Sequence, residues 1–182
     1  MTTCTTSIAT KELEVRYGKT VAVTDVNLDI PAGSLLSVIG PNGAGKSALL
    51  KALAGAIEIH SGDIDIPGPP PSFVMQSTEV DPSLPISVKD VVSLSRYSNR
   101  GVFKRFRKED RDAVDEAIER LNLKDLAKRQ LHELSGGQRQ RVLVAQGLAQ
   151  DSNVLLLDEP INGLDLVSRD IILEMITEEV KA

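Results

Sequence analysis

The chain has 182 residues, of which 41% are hydrophobic, 26% charged and 3% aromatic, with a formal net charge of −5. That length suffices for one domain with its own core, and the acidic balance argues against nucleic acid as a partner. No apolar run approaches the roughly 20 residues of a bilayer span, Met1–Ser7 lacks the pattern of a secretory signal, and the lone Cys4 has no disulfide partner, so a reducing cytosol fits.

In chain order, Leu13–Tyr17 alternates apolar and polar residues, which predicts a half-buried strand closed by the turn Gly18-Lys19. Val21, Val23, Val26, Leu28 and Ile30 continue the alternation up to the turn Pro31-Ala32-Gly33, so these strands are expected to form an antiparallel sheet. The aromatic Tyr17 has two readings, a ring stacked on a purine or an aromatic on the buried face of the sheet. The run Leu35–Ile39 reads as a short buried strand, and Ala48–Ala54 as a helix ending near Gly55.

Between them stands Gly40-Pro41-Asn42-Gly43-Ala44-Gly45-Lys46-Ser47, which fits the phosphate-loop pattern G-x-x-x-x-G-K-[ST] without mismatch. Glycines let successive backbone N–H groups approach phosphate oxygens at a helix N-terminus. Lys46 would then reach the β- and γ-phosphates, and the Ser47 hydroxyl would bind Mg²⁺.

Gly62–Ile66 predicts another short strand, and Pro67–Pro71 a loop without regular structure. Ser72–Met75 predicts a brief strand, with Gln76 at its C-terminal end, where a polar side chain can enter a site. Ser87 and Asp90 have capping-box spacing, and Val88, Val91, Val92 and Ser95 share one helical face. The segment from Arg96 to Arg111 carries Arg96, Arg100, Lys104, Arg105, Arg107, Lys108 and Arg111. It reads either as a surface facing anionic headgroups or a partner's acidic loop, or as a solvated loop between helices. A second helix is expected from about Glu109 to Asn122, on the spacing of Val114, Ala117, Ile118 and Leu121.

Leu134-Ser135-Gly136-Gly137-Gln138 opens a further helix carrying Val142, Leu143, Ala145 and Leu148. A capping box explains Ser135 and Gln138, but each glycine costs a helix start up to about 1 kcal/mol against alanine. Two adjacent glycines point to another molecule approaching the backbone there, an anion being the obvious candidate. Asn153–Leu157 reads as a central parallel strand ending in Asp158, Glu159 and Pro160. Asp158 is expected beside Ser47 and the Mg²⁺, and Glu159 where an attacking water is polarised. Gly163-Leu164-Asp165 makes a turn, and Val167, Ile171, Met175 and Ile176 mark a last amphipathic helix.

Gly40–Ser47, Gln76, Leu134–Gln138, Val154–Glu159 and Gly163–Asp165, in that order, resemble the nucleotide-binding subunit of an ABC transporter. The resemblance runs from about Leu13 to the end, and Leu-Ser-Gly-Gly-Gln is its most specific element. It implies an α/β fold: a P-loop NTPase core with a mainly parallel sheet, an antiparallel β-subdomain, and a helical subdomain over about residues 85–149, all within one domain of residues 1–182. It also implies that Tyr17 stacks on adenine, that Gln76 contacts Mg²⁺ and the water, and that Lys46 and Glu159 carry hydrolysis. By the same resemblance, Ser135, Gly136, Gly137 and Gln138 touch the γ-phosphate of ATP bound to a second subunit, and Asp165 crosses the dimer interface. The partners implied are a second ATP-binding subunit, in a homodimer, and transmembrane permease subunits at the cytoplasmic face of the plasma membrane. The stretch from Leu84 to Tyr97 is most similar to subunits serving uptake of zinc, manganese or iron chelates.

The sequence departs from the family pattern in four places. Ala48 stands where threonine is usual, removing a hydroxyl from the α-phosphate, Gln146 stands where arginine is common, and Gly147 weakens its helix. The chain ends at Ala182, before the strand that carries a switch histidine in the family, and His60 and His132 lie upstream as loop or helix-end residues. The resemblance therefore implies a C-terminally truncated domain, with the alternative of a module that binds ATP and dimerises but hydrolyses little.

Overall fold

The structure is a computed structural model that describes residues 8–75, 85–98 and 106–181. The chain divides into two compact units. One holds residues up to Phe73 with Ser152–Asp158 and the last three residues, and the other holds Val74–Asp151 and Glu159–Glu179. Gln76, residues 77–84, and Arg100, Lys104 and Arg105 lie outside the described residues.

In the first unit, β1 (Ile8–Tyr17) lies between β2 (Thr20–Ile30) and β3 (Ser61–Asp65) in an antiparallel sheet. The register of β1 with β2 runs from Ile8 opposite Ile30 to Tyr17 opposite Thr20, with irregularities after Thr10, Leu13 and Val15. Thr10 bridges the first of these, its hydroxyl donating to the Val26 carbonyl at 2.9 Å and accepting from the Leu28 N–H at 3.0 Å. A ladder interrupted by a bulge is thus kept free of unmet backbone groups. Leu13 and Val15, alternating on β1, bury against Ala48, Leu49, Ala52 and Leu53 of helix α1 (Lys46–Leu53) and against Leu156. α1 stops where the sequence indicates, with Gly55 at φ 67° after the Ala54 cap.

The core strands are shorter than the sequence suggests. β4 (Ser72–Val74) and β5 (Leu155–Leu157) form a two-stranded sheet, and only Leu156 of β5 is buried. The expected strand Leu35–Ile39 is absent: that segment forms no strand, and Leu35 and Ile39 are 60% and 92% exposed. An apolar run becomes a strand only when a neighbour takes its backbone hydrogen bonds, and no described strand pairs with this one. Leu35, Leu36 and Val38 instead line a cavity of about 170 Å³ together with Leu49, Leu53 and Val154.

The second unit is helical: α2 (Val88–Ser98), α3 (Lys108–Arg120), α4 (Gly136–Ala149) and α5 (Leu166–Lys181). The Ser87–Asp90 capping box is formed, and Val88, Val91, Val92 and Ser95 are all buried. Val114, Ala117, Ile118 and Leu121 bury the matching face of α3. Arg96 departs from the expectation of a basic surface. Its side chain is only 10% exposed, and it pairs with the 1%-exposed Asp110 at 3.0 Å while donating to the Ala149 carbonyl at 3.0 Å. A buried guanidinium needs this full set of acceptors, so Arg96 ties three helices together rather than facing an outside anion. The buried stripe of α5 also differs from the one expected. Ser168, Ile172 and Met175 are buried, whereas Val167 is exposed, because the i, i+4, i+7 row facing the unit starts one residue later. His132 lies in a single 3-10 turn, Leu131–Glu133.

Candidate functional site

The phosphate loop of the first unit is shaped by its backbone. Pro41 and Ala44 close a turn through a 3.2 Å hydrogen bond, and Gly45 adopts φ 90° as the residue before α1. Only glycine fits at position 45. A Cβ there would overlap the Ala22 carbonyl oxygen and come within 2.9 Å of Val23 Cγ2, in addition to the strain of the left-handed conformation. The loop is therefore packed against β2, and the first N–H groups of α1, which have no intrahelical acceptor, open at the loop's end.

Lys46 Nζ donates to the carbonyls of Gly40 at 2.9 Å and Pro41 at 3.0 Å, holding the cation over the loop. Ser47 Oγ donates to Asp158 Oδ1 at 3.0 Å, joining residues 111 positions apart. Asp158 is 9% exposed, at the end of β5. A serine hydroxyl and a carboxylate are hard oxygen ligands, the donor type that Mg²⁺ takes. Among the described residues no group of three or more His, Cys, Asp or Glu could hold a metal alone. Mg²⁺ here would therefore complete its shell with phosphate oxygens and water, as is its habit. Ala48 buries its methyl in the core of this unit. Tyr17 ends β1 with its ring 51% exposed, which rules out the buried-face reading and leaves the ring free to stack on a planar ligand.

The second unit holds the remaining described candidates. Glu159 follows Asp158 with φ 49°, an uncommon conformation for a residue with a Cβ. Its Oε2 accepts from Asn162 Nδ2 at 2.9 Å, and its carbonyl accepts from the Asn162 N–H at 3.2 Å. Strain at a non-glycine residue tends to mark functional positions. Asn162 thus joins the candidate residues, and its place three residues after Glu159, a turn spacing, is the signal for it in the sequence.

The Ser135–Gln138 capping box is complete: the Gln138 N–H donates to Ser135 Oγ at 3.2 Å, and the Ser135 N–H donates to Gln138 Oε1 at 3.0 Å. The two glycines between them differ. A Cβ on Gly136 would meet nothing within 4 Å, so that side is open to an approaching group. A Cβ on Gly137 would overlap an Asp165 carboxylate oxygen and lie 2.5 Å from Ser168 Oγ. The chain's own packing therefore already requires glycine at 137, while an anion at this helix start would be bound through backbone N–H groups and not through the space that a Cβ takes. Asp165 is exposed and caps α5, accepting from the Ser168 N–H at 2.9 Å. Hydrogen bonds from the backbone and hydroxyl of Ser168, with the charge of Arg141 adding a little, hold its carboxyl below the usual range.

Residues 23–162 match the family model described as ABC transporter. The manganese transport system ATP-binding protein MntB of Listeria innocua serovar 6a is 39% identical over 171 residues, covering 90% of this chain and 71% of that protein. A solved inward-facing structure of a metal-chelate type ABC transporter superposes with a TM-score of 0.85 at 33% identity, covering 98% of this chain and 69% of that one. The dimeric structure of a bacterial ABC transporter cassette matches with a TM-score of 0.81 at 26% identity, covering 96% of this chain and 83% of that one.

Proposed function

This chain belongs to the ABC transporter family, as an ATP-binding subunit with the α/β fold of P-loop NTPases, and from that premise we propose that it hydrolyses ATP to drive uptake of a transition-metal ion or its chelate. The observation that carries the catalytic part is the 3.0 Å hydrogen bond between Ser47 and Asp158. It brings the phosphate-loop hydroxyl and the strand-end carboxylate to one point, the arrangement that holds Mg²⁺ in P-loop enzymes. Mg²⁺, when bound with ATP, neutralises charge on the β- and γ-phosphates.

In this reading the N–H groups of residues 43–48 and Lys46 cradle the phosphates, and Lys46 exchanges its loop carbonyls for phosphate oxygens. Tyr17 stacks on the adenine. Glu159, oriented by Asn162, accepts a proton from the attacking water as the γ-phosphoryl group is displaced in line. Gln76 is proposed as a further contact to Mg²⁺ and the water on resemblance alone.

Ser135, Gly136, Gly137 and Gln138 contact the γ-phosphate held by a second copy of the chain, and Asp165 reaches across the same interface. The open side of Gly136 and the exposed Leu166 and Val167 beside Asp165 support this assignment. Among the described residues no helix is long and apolar enough to cross a membrane. From the chain's family, the transmembrane path is assigned to permease subunits, which the helical region around residues 85–149 engages from the cytoplasmic face. The choice of a metal or chelate follows the manganese relative and the metal-chelate transporter structure.

The test is ATP turnover by the purified chain. Lys46→Ala is expected to abolish nucleotide binding, whereas Glu159→Gln should bind ATP normally and lose at least about 100-fold in rate. Full hydrolysis by Glu159→Gln would remove Glu159 from its role as base. Metal accumulation in cells that depend on this subunit tests the substrate, and unchanged manganese, zinc and iron contents on its deletion would contradict it.

A further inference from the structure

Ser168 is 2% exposed on the first turn of α5, yet it meets no nucleotide in the reading above. Its N–H donates to Asp165 Oδ1 at 2.9 Å, and the next N–H, from Arg169, reaches the Asp165 carbonyl at 3.0 Å. The other face of Ser168 lies against Gly137, where a Cβ would sit 2.5 Å from its Oγ and 2.9 Å from its Cβ. On α4 the next turn is fixed as well. Arg141, buried within the unit, donates through Nη1 to the carbonyls of Leu121 at 3.0 Å and Asn122 at 3.2 Å, just past the end of α3. The start of α4 is thus held from two sides, by the end of α3 and by the start of α5.

We infer that Ser168 is a positioning residue that clamps Asp165 to Gly137, so that the Asp165 carboxylate and the Ser135–Gln138 signature are presented to the second subunit as one rigid element. The two glycines of the signature then have different tasks. Gly136 leaves room for the incoming phosphate, and Gly137 leaves room for Ser168 and Asp165 of its own chain. Because the fit at Gly137 is already closed, an added methyl must push α5 and α4 apart and move Asp165 relative to the signature. The capping box does not sense that change, since Ser135 and Gln138 satisfy each other locally. This inference rests on the proposed ATPase function and deepens it.

The experiment is steady-state ATP hydrolysis by the full chain, with nucleotide binding measured in parallel. Gly137→Ala is expected to lower kcat by about 10- to 100-fold, the cost of a misplacement near 1 Å, with KM little changed because the phosphate loop is intact. Ser168→Val, which places a larger side chain in the same contact, should show the same split. Ser168→Ala, which keeps the small size and the N–H but removes the hydroxyl bonded to Asp165, should give the same split with a smaller fall in kcat. Ser168→Thr, which keeps the hydroxyl, should fall less than Ser168→Val does. Wild-type kcat in Gly137→Ala, or in both Ser168→Ala and Ser168→Val, overturns the clamp while leaving the ATPase reading intact. Absence of hydrolysis by the wild-type chain overturns that reading and the clamp with it.

Discussion

Gly45 and Gly137 each stand at the start of a helix where a side chain would not fit, and the reasons differ. At Gly45 the restriction is in the backbone: φ is 90°, and the space is taken by the main chain of β2. At Gly137 the restriction is made by the side chains of Asp165 and Ser168 on another helix. The phosphate loop is therefore a local conformation, braced from outside by one long-range hydrogen bond from Ser47 to Asp158. The signature is an ordinary helix start whose setting depends on how α3, α4 and α5 pack. A cradle set by backbone conformation can hold a phosphate by itself, whereas a surface set by helix packing can be displaced by changes elsewhere in the bundle.

Substitutions that strike one region and spare the other sharpen this contrast. The largest effect is expected from Gly45→Ala, which combines left-handed strain with overlap on Ala22. ATP affinity should fall at least about 100-fold, or about 2.7 kcal/mol, in a calorimetric titration, while helix content by circular dichroism stays unchanged. Normal affinity would show that the loop does not need this conformation.

The opposite perturbation is Asp110→Ala, which leaves the buried Arg96 guanidinium, among the described residues, with the Ala149 carbonyl and removes an acceptor from the Arg107 N–H. Breaking a buried pair from one side costs about 3 kcal/mol, so denaturant unfolding should show a drop near that size. Equal stability of variant and wild type would mean that the pair does not hold the helices together. A smaller loss, about 1 kcal/mol in the same assay, is expected for Ser135→Ala, because the cap of α4 is lost but the packing behind Gly137 remains.

The smallest effect concerns pH. The Asp165 carboxyl titrates below its usual value, with hydrogen bonds from Ser168 the main cause. Its stabilising contribution is present above the ordinary carboxylate range and is lost as pH falls through the lowered folded-state value. The difference in Tm between the wild type and Asp165→Asn should thus be visible at neutral pH and close below about pH 4. A difference that grows on acidification would contradict the assignment.

How much of this was legible in the sequence follows the same divide. Features encoded within a few residues could be read directly: both capping boxes, the Gly55 helix end, the buried faces of α2 and α3, and the loop Gly40–Ser47. Leu35–Ile39 was misread as a strand because hydrophobicity reports a wish to be buried, not the presence of a hydrogen-bonding neighbour. Arg96 was grouped with a basic run because its partners, Asp110 and the Ala149 carbonyl, lie 14 and 53 residues away. The packing of Gly137 against Ser168 was hidden for the same reason, since nothing near the glycine in sequence announces a residue 31 positions on. Asn162 is the exception, because its contact with Glu159 spans three residues and is legible as a turn spacing.

The central claim is that the phosphate loop is half a site, completed by the signature of a second copy. Light scattering of Glu159→Gln with and without ATP tests it most directly, because blocking hydrolysis should trap the closed pair. The expected result is a doubling of molecular mass on adding ATP, abolished when Gly136→Asp places a charge on the open side of the signature. A chain that binds ATP and keeps its monomer mass at every nucleotide concentration would contradict the account.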